Sequence, residues 1–147
     1  MAPPKVLFVL TSHNKMGNTG NPTGWYLVRF PSPLFLSSPC SISNLQFFKP
    51  EFAHPYEVLA PHVSITIASP LGGAAPLDPS SVEASKSDAV STKFLAEKKS
   101  LWENTAKLSD FLGHAGEYEA IFFVGGHGRM FSFPFLEAQK GLGRQRC

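Results

Sequence analysis

Three short apolar runs are separated along the chain by segments in which hydrophobic residues recur at helical spacing. The runs are residues 5–10, 64–68 and 120–124, and polar or turn-forming residues bound each of them. Short, nearly continuous runs of Val, Ile, Leu and Phe are typical of strands that are buried on both faces of a parallel sheet. The pattern therefore predicts three strands of one parallel sheet.

Helical patterning lies at residues 51–60, 88–97 and 101–112. Pro50 suits a first helical turn. Pro55 predicts a kink or a later start, because a proline inside a helix removes a hydrogen bond and clashes with the preceding turn. Residues 69–81 hold three prolines and two glycines and are predicted to form a loop. The order strand, helix, strand, helix, strand predicts an α/β doubly wound fold.

Two segments do not follow this pattern. Residues 28–49 combine prolines, serines and phenylalanines without any period, and residues 132–147 neither continue a helix nor begin a strand. A structureless loop of this length is unusual inside a small α/β unit. We therefore expect residues 1–131 to be the N-terminal part of one domain, interrupted by a disordered loop at 28–49 and followed by an irregular tail. Three parallel strands alone would leave such a domain incomplete.

Composition narrows the classes of function. The chain has 147 residues, which is enough for one domain, and its net charge is only +2. No cluster of basic residues exceeds the pair Lys98–Lys99, so no nucleic-acid surface is expected. No apolar segment is long enough to span a bilayer, and the first residues do not resemble a signal peptide. The cytoplasm is the expected compartment, with the nucleus as a further one.

The two cysteines, Cys40 and Cys147, lie in the two segments that do not fit the fold. We expect them neither to form a disulfide nor to bind a metal, because metal-binding cysteines normally occur in clusters.

The strongest candidate site follows the third predicted strand. Gly125 and Gly126 come directly after residues 120–124, and His127 follows them. Glycines allow backbone angles and close approaches that a Cβ forbids. In open α/β sheets, ligands bind just beyond the carboxyl ends of the strands. An ordinary strand-to-helix turn would explain the same residues, so both interpretations stay open at this point.

Five ordered blocks of the sequence carry a family resemblance. They are Lys-Val-Leu-Phe-Val-Leu-Thr-Ser from Lys5, Thr-Gly-Trp-Tyr-Leu from Thr23, Pro-Glu-Phe-Ala-His-Pro-Tyr from Pro50, the segment 69–80, and Gly-Gly-His-Gly-Arg-Met-Phe from Gly125. In these blocks the sequence resembles the ThiJ/PfpI-like superfamily (class I glutamine amidotransferase-like fold). Within that superfamily it is most similar to the fungal glutathione-independent glyoxalases, also called glyoxalase III or D-lactate dehydratases. The resemblance covers residues 4–27 and 50–131.

The resemblance also bears on residues 28–49. In the family, Gly-Trp-Tyr-Leu runs almost directly into Pro-Glu-Phe-x-His-Pro, whereas here residues 28–49 stand between the two blocks. We expect that this segment is not native to the domain and derives from untranslated sequence such as a retained intron. A transcript in which the codons of Leu27 and Pro50 are adjacent would confirm that expectation.

The resemblance implies a flavodoxin-like (Rossmann-type) fold and a lyase that converts methylglyoxal, a 2-oxoaldehyde, to D-lactate in detoxification and stress response. It implies no cofactor and no metal, and a homodimer in intact relatives. In such enzymes a cysteine thiolate adds to the aldehyde, a glutamate moves a proton between the two carbons, and water releases the product. Glu51 matches the glutamate. Gly126, with Gly125 and His127, matches the turn that helps to bind the oxyanion.

Each matched residue also has a structural interpretation that the sequence leaves open. Glu51 could be a helix-terminal carboxylate favoured by the helix dipole, and His127 an ordinary turn residue. Trp25 and Tyr26 could line the mouth of the pocket or fill the core.

The nucleophile that the family uses is not found in this sequence. In the family it lies within Ala-Val-Cys-His-Gly-Pro, and neither Cys40 nor Cys147 has that context. We therefore expect a truncated chain that is inactive as a lyase. A chaperone or holdase, or a non-functional fragment, is the alternative, since unfinished apolar surface could bind unfolded clients. A nucleotide or flavin binder is disfavoured, because no Gly-x-Gly-x-x-Gly follows the first strand.

Overall fold

The computed structural model describes residues 2–29 and 49–127, which form a parallel β-sheet flanked by helices. The three predicted strands are confirmed as β1 (Lys5–Val9), β4 (Ser64–Ser69) and β6 (Ala120–Phe123). β1 pairs in parallel with β4 on one side, through Val9 and Ala68, and with β6 on the other, through Val9 and Phe123. This arrangement confirms the α/β, flavodoxin-like fold class.

The prediction of one helix over residues 101–112 is wrong. A short helix α4 (Ser100–Glu103) is followed by a fourth strand, β5 (Ala106–Lys107), and by a 3-10 helix (Leu108–Phe111). β5 pairs in parallel with β4, so the order across the sheet is β5-β4-β1-β6. The helix ends because Thr105 leaves it to exchange backbone hydrogen bonds with Gly73 at 2.8 and 2.9 Å.

The apolar residues whose spacing suggested this helix belong to two different hydrophobic clusters. Trp102 packs with β1 residues Val6 and Phe8 on one face of the sheet, whereas Leu108 packs with Leu7 and Val9 on the other. Successive side chains of a strand point to opposite faces. The chain therefore passes from one face to the other at β5, which no single amphipathic helix would do.

The other helices agree with the sequence pattern apart from their limits. α1 (Ala53–Leu59) begins two residues after Glu51 and accommodates Pro55 in its first turn, while α3 (Ala89–Glu97) follows the capping residue Asp88. Pro50 does not begin a helix, since it belongs to strand β3 (Lys49–Pro50). The predicted loop 69–81 is also shorter, because helix α2 (Pro79–Ala84) begins within it.

An aromatic cluster forms the centre of the core. Trp25 contacts Phe52 edge-on with their rings 5.0 Å apart, and Phe94 stacks on Trp102 at 5.7 Å. All four side chains are buried and, with Phe8 of β1, connect the helices to one face of the sheet. Buried aromatic rings supply large apolar areas, so this cluster fixes the segment around Trp25 and the segment around Phe52 to the same sheet.

The two ends of segment 28–49, which is predicted to be a disordered loop, lie next to each other. Strand β2 (Val28–Arg29) pairs antiparallel with β3, and the backbone N–H of Glu51 donates to the carbonyl of Leu27 at 3.3 Å. Residues 30–48 and 128–147 lie outside the described residues, and they include Cys40, Cys147 and the whole of the tail predicted at 132–147. The origin of residues 28–49 stays a prediction.

None of the helices in the described part of the chain is long and apolar enough to cross a membrane.

Candidate functional site

The order of the strands creates a crevice between β1 and β6. From β1 the chain passes to β4 and β5 on one side, and it then returns to the opposite side of β1 as β6. In open α/β sheets such a reversal leaves a crevice at the carboxyl ends of the two strands, where ligands bind. Backbone bonds from Val124 to Val9 at 3.0 Å and from Leu10 to Ala68 at 2.9 Å hold the strand ends together there. The Gly125–Gly126 turn begins at this edge.

Glu51 and Gly125 are in direct contact at this edge. A Cβ added to Gly125 would lie 1.8 Å from the carboxyl oxygen Oε2 of Glu51 and 2.5 Å from its Cδ. Oε2 is shielded from solvent, and the neighbouring Phe52 is fully buried and anchors the segment. Only glycine fits at position 125 beside this carboxyl group, because the two groups would otherwise occupy the same space.

Gly126 requires glycine for a different reason. Its φ of +127° lies in the region that side-chain-bearing residues rarely adopt, and a Cβ there would lie 2.4 Å from the carbonyl oxygen of Gly24. The N–H of Tyr26 donates to the carbonyl of Gly125 at 3.0 Å. The turn is therefore held between the Glu51 carboxyl on one side and the backbone of residues 24–26 on the other.

Residues 24–26 are themselves held by the segment that precedes α2. A Cβ at Gly24 would lie 2.0 Å from the carbonyl oxygen of Pro76, and the N–H of Trp25 donates to that same carbonyl at 2.9 Å. The N–H of Asp78 donates to the carbonyl of Trp25 at 3.0 Å. Backbone bonds therefore join these two segments beside the turn.

Trp25 and Tyr26 point in different directions. The ring of Trp25 is fully buried in the aromatic cluster, and its Nε1–H donates to the carbonyl of Ala75 at 3.3 Å. These are the contacts of a core side chain. Tyr26 instead forms a short hydrogen bond between its hydroxyl and Nδ1 of His127, with the two rings edge-to-face and 5.2 Å apart. The sequence placed Trp25 among the candidate site residues and did not predict the contact of Tyr26.

Asp78 is a buried polar residue that the sequence analysis did not single out. Its Oδ2 accepts a hydrogen bond from the Thr23 hydroxyl at 2.9 Å, and both side chains are 2% exposed. Its Oδ1 accepts from the N–H groups of Ser80 and Ser81, which caps α2. The sequence Asp-Pro-Ser-Ser is a recognisable helix start, with a capping residue followed by proline. That signal would have predicted the cap but not the bond to Thr23.

A second helix cap lies further from the turn. His54 of α1 approaches Asp88 with Nε2 2.7 Å from Oδ2, and Ser91 donates to the same oxygen through its hydroxyl and its N–H. Partial burial of Asp88 opposes its ionisation. The bonds from Ser91 and His54 and the charge of His54 outweigh that effect, so the pKa of Asp88 lies below its ordinary value. This pair joins α1, which follows Glu51, to α3.

The described residues place a carboxyl group beside a glycine turn. Among residues 2–29 and 49–127, no group of three or more His, Cys, Asp or Glu side chains is arranged to hold a metal ion. A carboxyl group beside a turn of this kind can exchange protons with a bound molecule, and backbone N–H groups can stabilise a developing oxyanion.

Several solved structures resemble this chain. One is the X-ray structure of Rapid Encystment Protein 24 KDa (REP24) of Francisella tularensis, with 35% sequence identity and a TM-score of 0.65, covering 89% of this chain and 48% of that one. Another is the crystallographic structure of APC35852, with 32% identity and a TM-score of 0.62, covering 91% of this chain and 47% of that one. No protein-family model and no curated protein matches the chain.

These likenesses and the observed sheet define the class of the protein. It is an α/β protein with a ThiJ/PfpI-like, flavodoxin-like fold. The chain spans about half the length of each of these two solved structures.

Proposed function

We propose that Glu51 and the Gly125–Gly126 turn are the acid and oxyanion parts of a site for small 2-oxoaldehydes. In this proposal the chain descends from the glutathione-independent glyoxalases (glyoxalase III, D-lactate dehydratase). The observation that carries the proposal is the contact between Glu51 and Gly125, with a shielded carboxyl oxygen against the turn at the end of β6. The five sequence blocks that resemble the glyoxalase group also support it.

The role of each group follows from its chemistry. In the complete reaction a thiolate adds to the aldehyde carbon of methylglyoxal and forms a hemithioacetal. Glu51, as a carboxylate, would take the proton from that carbon and return it to the neighbouring carbon, while the hydroxyl proton passes from the first oxygen to the second. The carboxylate is then restored and a thioester of lactate remains. Water would hydrolyse the thioester to D-lactate and release the thiol. The amides of the glycine turn would stabilise the enediolate oxygen.

We further propose that this 147-residue polypeptide alone does not complete that reaction. Its two cysteines lack the Ala-Val-Cys-His-Gly-Pro context in which the family's nucleophile lies. The carboxyl group has no covalent adduct to act on if no thiolate adds to the aldehyde. Removing a catalytic nucleophile typically lowers the rate by several orders of magnitude.

The first experiment measures turnover. Purified chain is incubated with methylglyoxal, and D-lactate is measured with a D-lactate-specific dehydrogenase. We expect no D-lactate above that formed with the Glu51→Gln variant. Turnover that is lost in Glu51→Gln would contradict the proposal of inactivity while supporting the role of Glu51.

The second experiment tests whether the site binds a ligand. Pyruvate serves as a stable 2-oxo compound and is titrated into the ¹⁵N-labelled chain. We expect the amide signals of Gly125 and Gly126 to shift in the wild type and to shift less in Glu51→Gln. Glu119→Gln is the control, because Glu119 is exposed and precedes β6 at the other end of that strand. An absence of shifts at the turn in the wild type would overturn the proposed site.

The holdase hypothesis and the homodimer remain predictions. Light scattering with a denatured client protein tests the first, since a holdase suppresses aggregation and a fragment that merely exposes apolar surface co-precipitates. Sedimentation of the purified chain tests the second.

A further inference from the structure

We propose that Tyr26 is a positioning residue that fixes the tautomer of His127, so that His127 presents its Nε2–H to an oxygen of the bound ligand. The inference rests on the proposed function for its ligand, a small carbonyl or carboxylate compound at the Gly125–Gly126 turn. The bond between the Tyr26 hydroxyl and His127 Nδ1 is its structural basis.

The hydrogen bond between Tyr26 and His127 couples the hydroxyl to the position of the imidazole proton. A tyrosine hydroxyl can donate or accept, and in the proposed arrangement it donates to Nδ1 of the neutral imidazole. A neutral imidazole carries one N–H, which is then on Nε2. The tautomer of a histidine is set by the hydrogen bond at its other nitrogen, and Tyr26 supplies that bond here.

The backbone holds Tyr26 in place for this role. Its N–H donates to the carbonyl of Gly125 at 3.0 Å, and Trp25, the preceding residue, is fully buried. The ring of Tyr26 lies edge-to-face with that of His127. Tyr26 is only partly exposed, whereas His127 is exposed to solvent. Of the two rings, the imidazole is therefore the one that can reach a ligand.

The Tyr26–His127 pair and the Glu51 carboxyl group lie beside the same Gly125–Gly126 turn. Glu51 contacts Gly125, and His127 follows Gly126 directly, while a Cβ at Gly126 would lie 3.1 Å from the Tyr26 nitrogen. A ligand at the turn would therefore meet a carboxyl group from one segment and a neutral N–H donor from another. A neutral donor suits a carbonyl or carboxylate oxygen, because it binds the oxygen without protonating it.

Tyr26→Phe tests the inference, because it removes one hydroxyl and keeps the ring. The ¹⁵N signals of the imidazole nitrogens report the tautomer, and the His127→Gln variant identifies which signals belong to His127. We expect the wild type to hold the proton on Nε2 and Tyr26→Phe to show a mixture of both tautomers. Tyr118→Phe is the matched control, because Tyr118 packs on Phe111 before β6 begins, away from the turn.

The same variants are then titrated with pyruvate. We expect Tyr26→Phe to bind pyruvate more weakly than the wild type, by less than the roughly tenfold that the loss of one whole hydrogen bond would cost, because part of the imidazole keeps its proton on Nε2. Tyr118→Phe should match the wild type. Far-UV circular dichroism and thermal unfolding confirm that each variant is folded.

The outcomes separate this inference from the proposed function. An unchanged His127 tautomer in Tyr26→Phe overturns the positioning role. A changed tautomer with unchanged pyruvate binding overturns the donor role of His127 while leaving the proposed site intact. If the wild type shows no shift at the turn with pyruvate, the proposed function and the donor role both fail.

Discussion

The carboxyl group of Glu51 occupies the space that a side chain at position 125 would need, since Oε2 lies 1.8 Å from the position of a Cβ on Gly125. The two residues are far apart in the sequence and belong to different segments, one before α1 and the other after β6. Their contact joins the candidate acid to the candidate oxyanion turn. It is therefore the relationship on which the proposed function depends most directly.

Substituting Gly125 with alanine should displace the Glu51 carboxyl. The added methyl group and Oε2 cannot both keep their positions, and forcing a group into a packed site typically costs about 1–3 kcal/mol. We expect a lower free energy of unfolding in Gly125→Ala, measured by urea denaturation, and weaker pyruvate-induced shifts at residue 126.

Gly116→Ala is the control for this variant, because a Cβ at Gly116 would meet nothing within 4 Å. Its free energy of unfolding should change by no more than about 0.5 kcal/mol. If Gly125→Ala is as stable as Gly116→Ala and keeps the pyruvate shifts, the contact between Glu51 and Gly125 does not constrain the site.

Asp78 should contribute to stability through two interactions at once. Asp78→Ala removes the cap of α2, worth about 1 kcal/mol, and leaves the buried Thr23 hydroxyl without its acceptor, at a further cost of about 1–3 kcal/mol. We expect a total loss of about 2–4 kcal/mol in urea denaturation.

A double-mutant cycle with Thr23→Val separates the two terms. Once Thr23 has lost its hydroxyl, the second substitution should cost only the cap, so the two losses should not add. The exposed Asp110→Ala is the control. Additive losses for Asp78→Ala and Thr23→Val would show that the bond between these side chains contributes nothing.

Asp88 should make stability depend on pH at the acid end. Its pKa is below the ordinary value in the folded protein, so near pH 4 the unfolded chain binds more protons at this group than the folded chain does. Its contribution is therefore present above about pH 4, the unfolded pKa, and is lost as the pH falls through the folded pKa. The Asp88→Asn variant keeps a capping side chain, and its free energy of unfolding should depend less on pH in that window.

Ser91→Ala tests the cause of this pKa. Ser91 donates its hydroxyl to Asp88 Oδ2 at 2.5 Å, and this bond favours the ionised carboxylate. Removing the hydroxyl should raise the pKa of Asp88, as followed by its ¹³C carboxyl signal. An Asp88 signal that titrates at or above the ordinary value in the wild type would refute the prediction.

The parts of the fold that depend on local pattern could be predicted from the amino-acid sequence alone. The apolar runs predicted the positions of β1, β4 and β6. The expected burial on both faces holds for β1 but is wrong for β6, where Ala120 and Ile121 are exposed. The spacing of hydrophobic residues predicted α1 and α3 to within about two residues. The sequence also identified the two glycines of the turn, of which Gly126 has a backbone angle that few other residues tolerate.

The contacts between distant segments could be seen only in the folded protein. β5 could not be predicted because the apolar residues of 101–112 pack on opposite faces of the sheet, although their spacing is that of an amphipathic helix. The contact of Tyr26 with His127 joins residues 101 positions apart, and the bond of Thr23 to Asp78 joins residues 55 apart. Local periodicity carries no information about which distant segments meet, because that depends on the order of strands in the sheet and on the packing of the core between them.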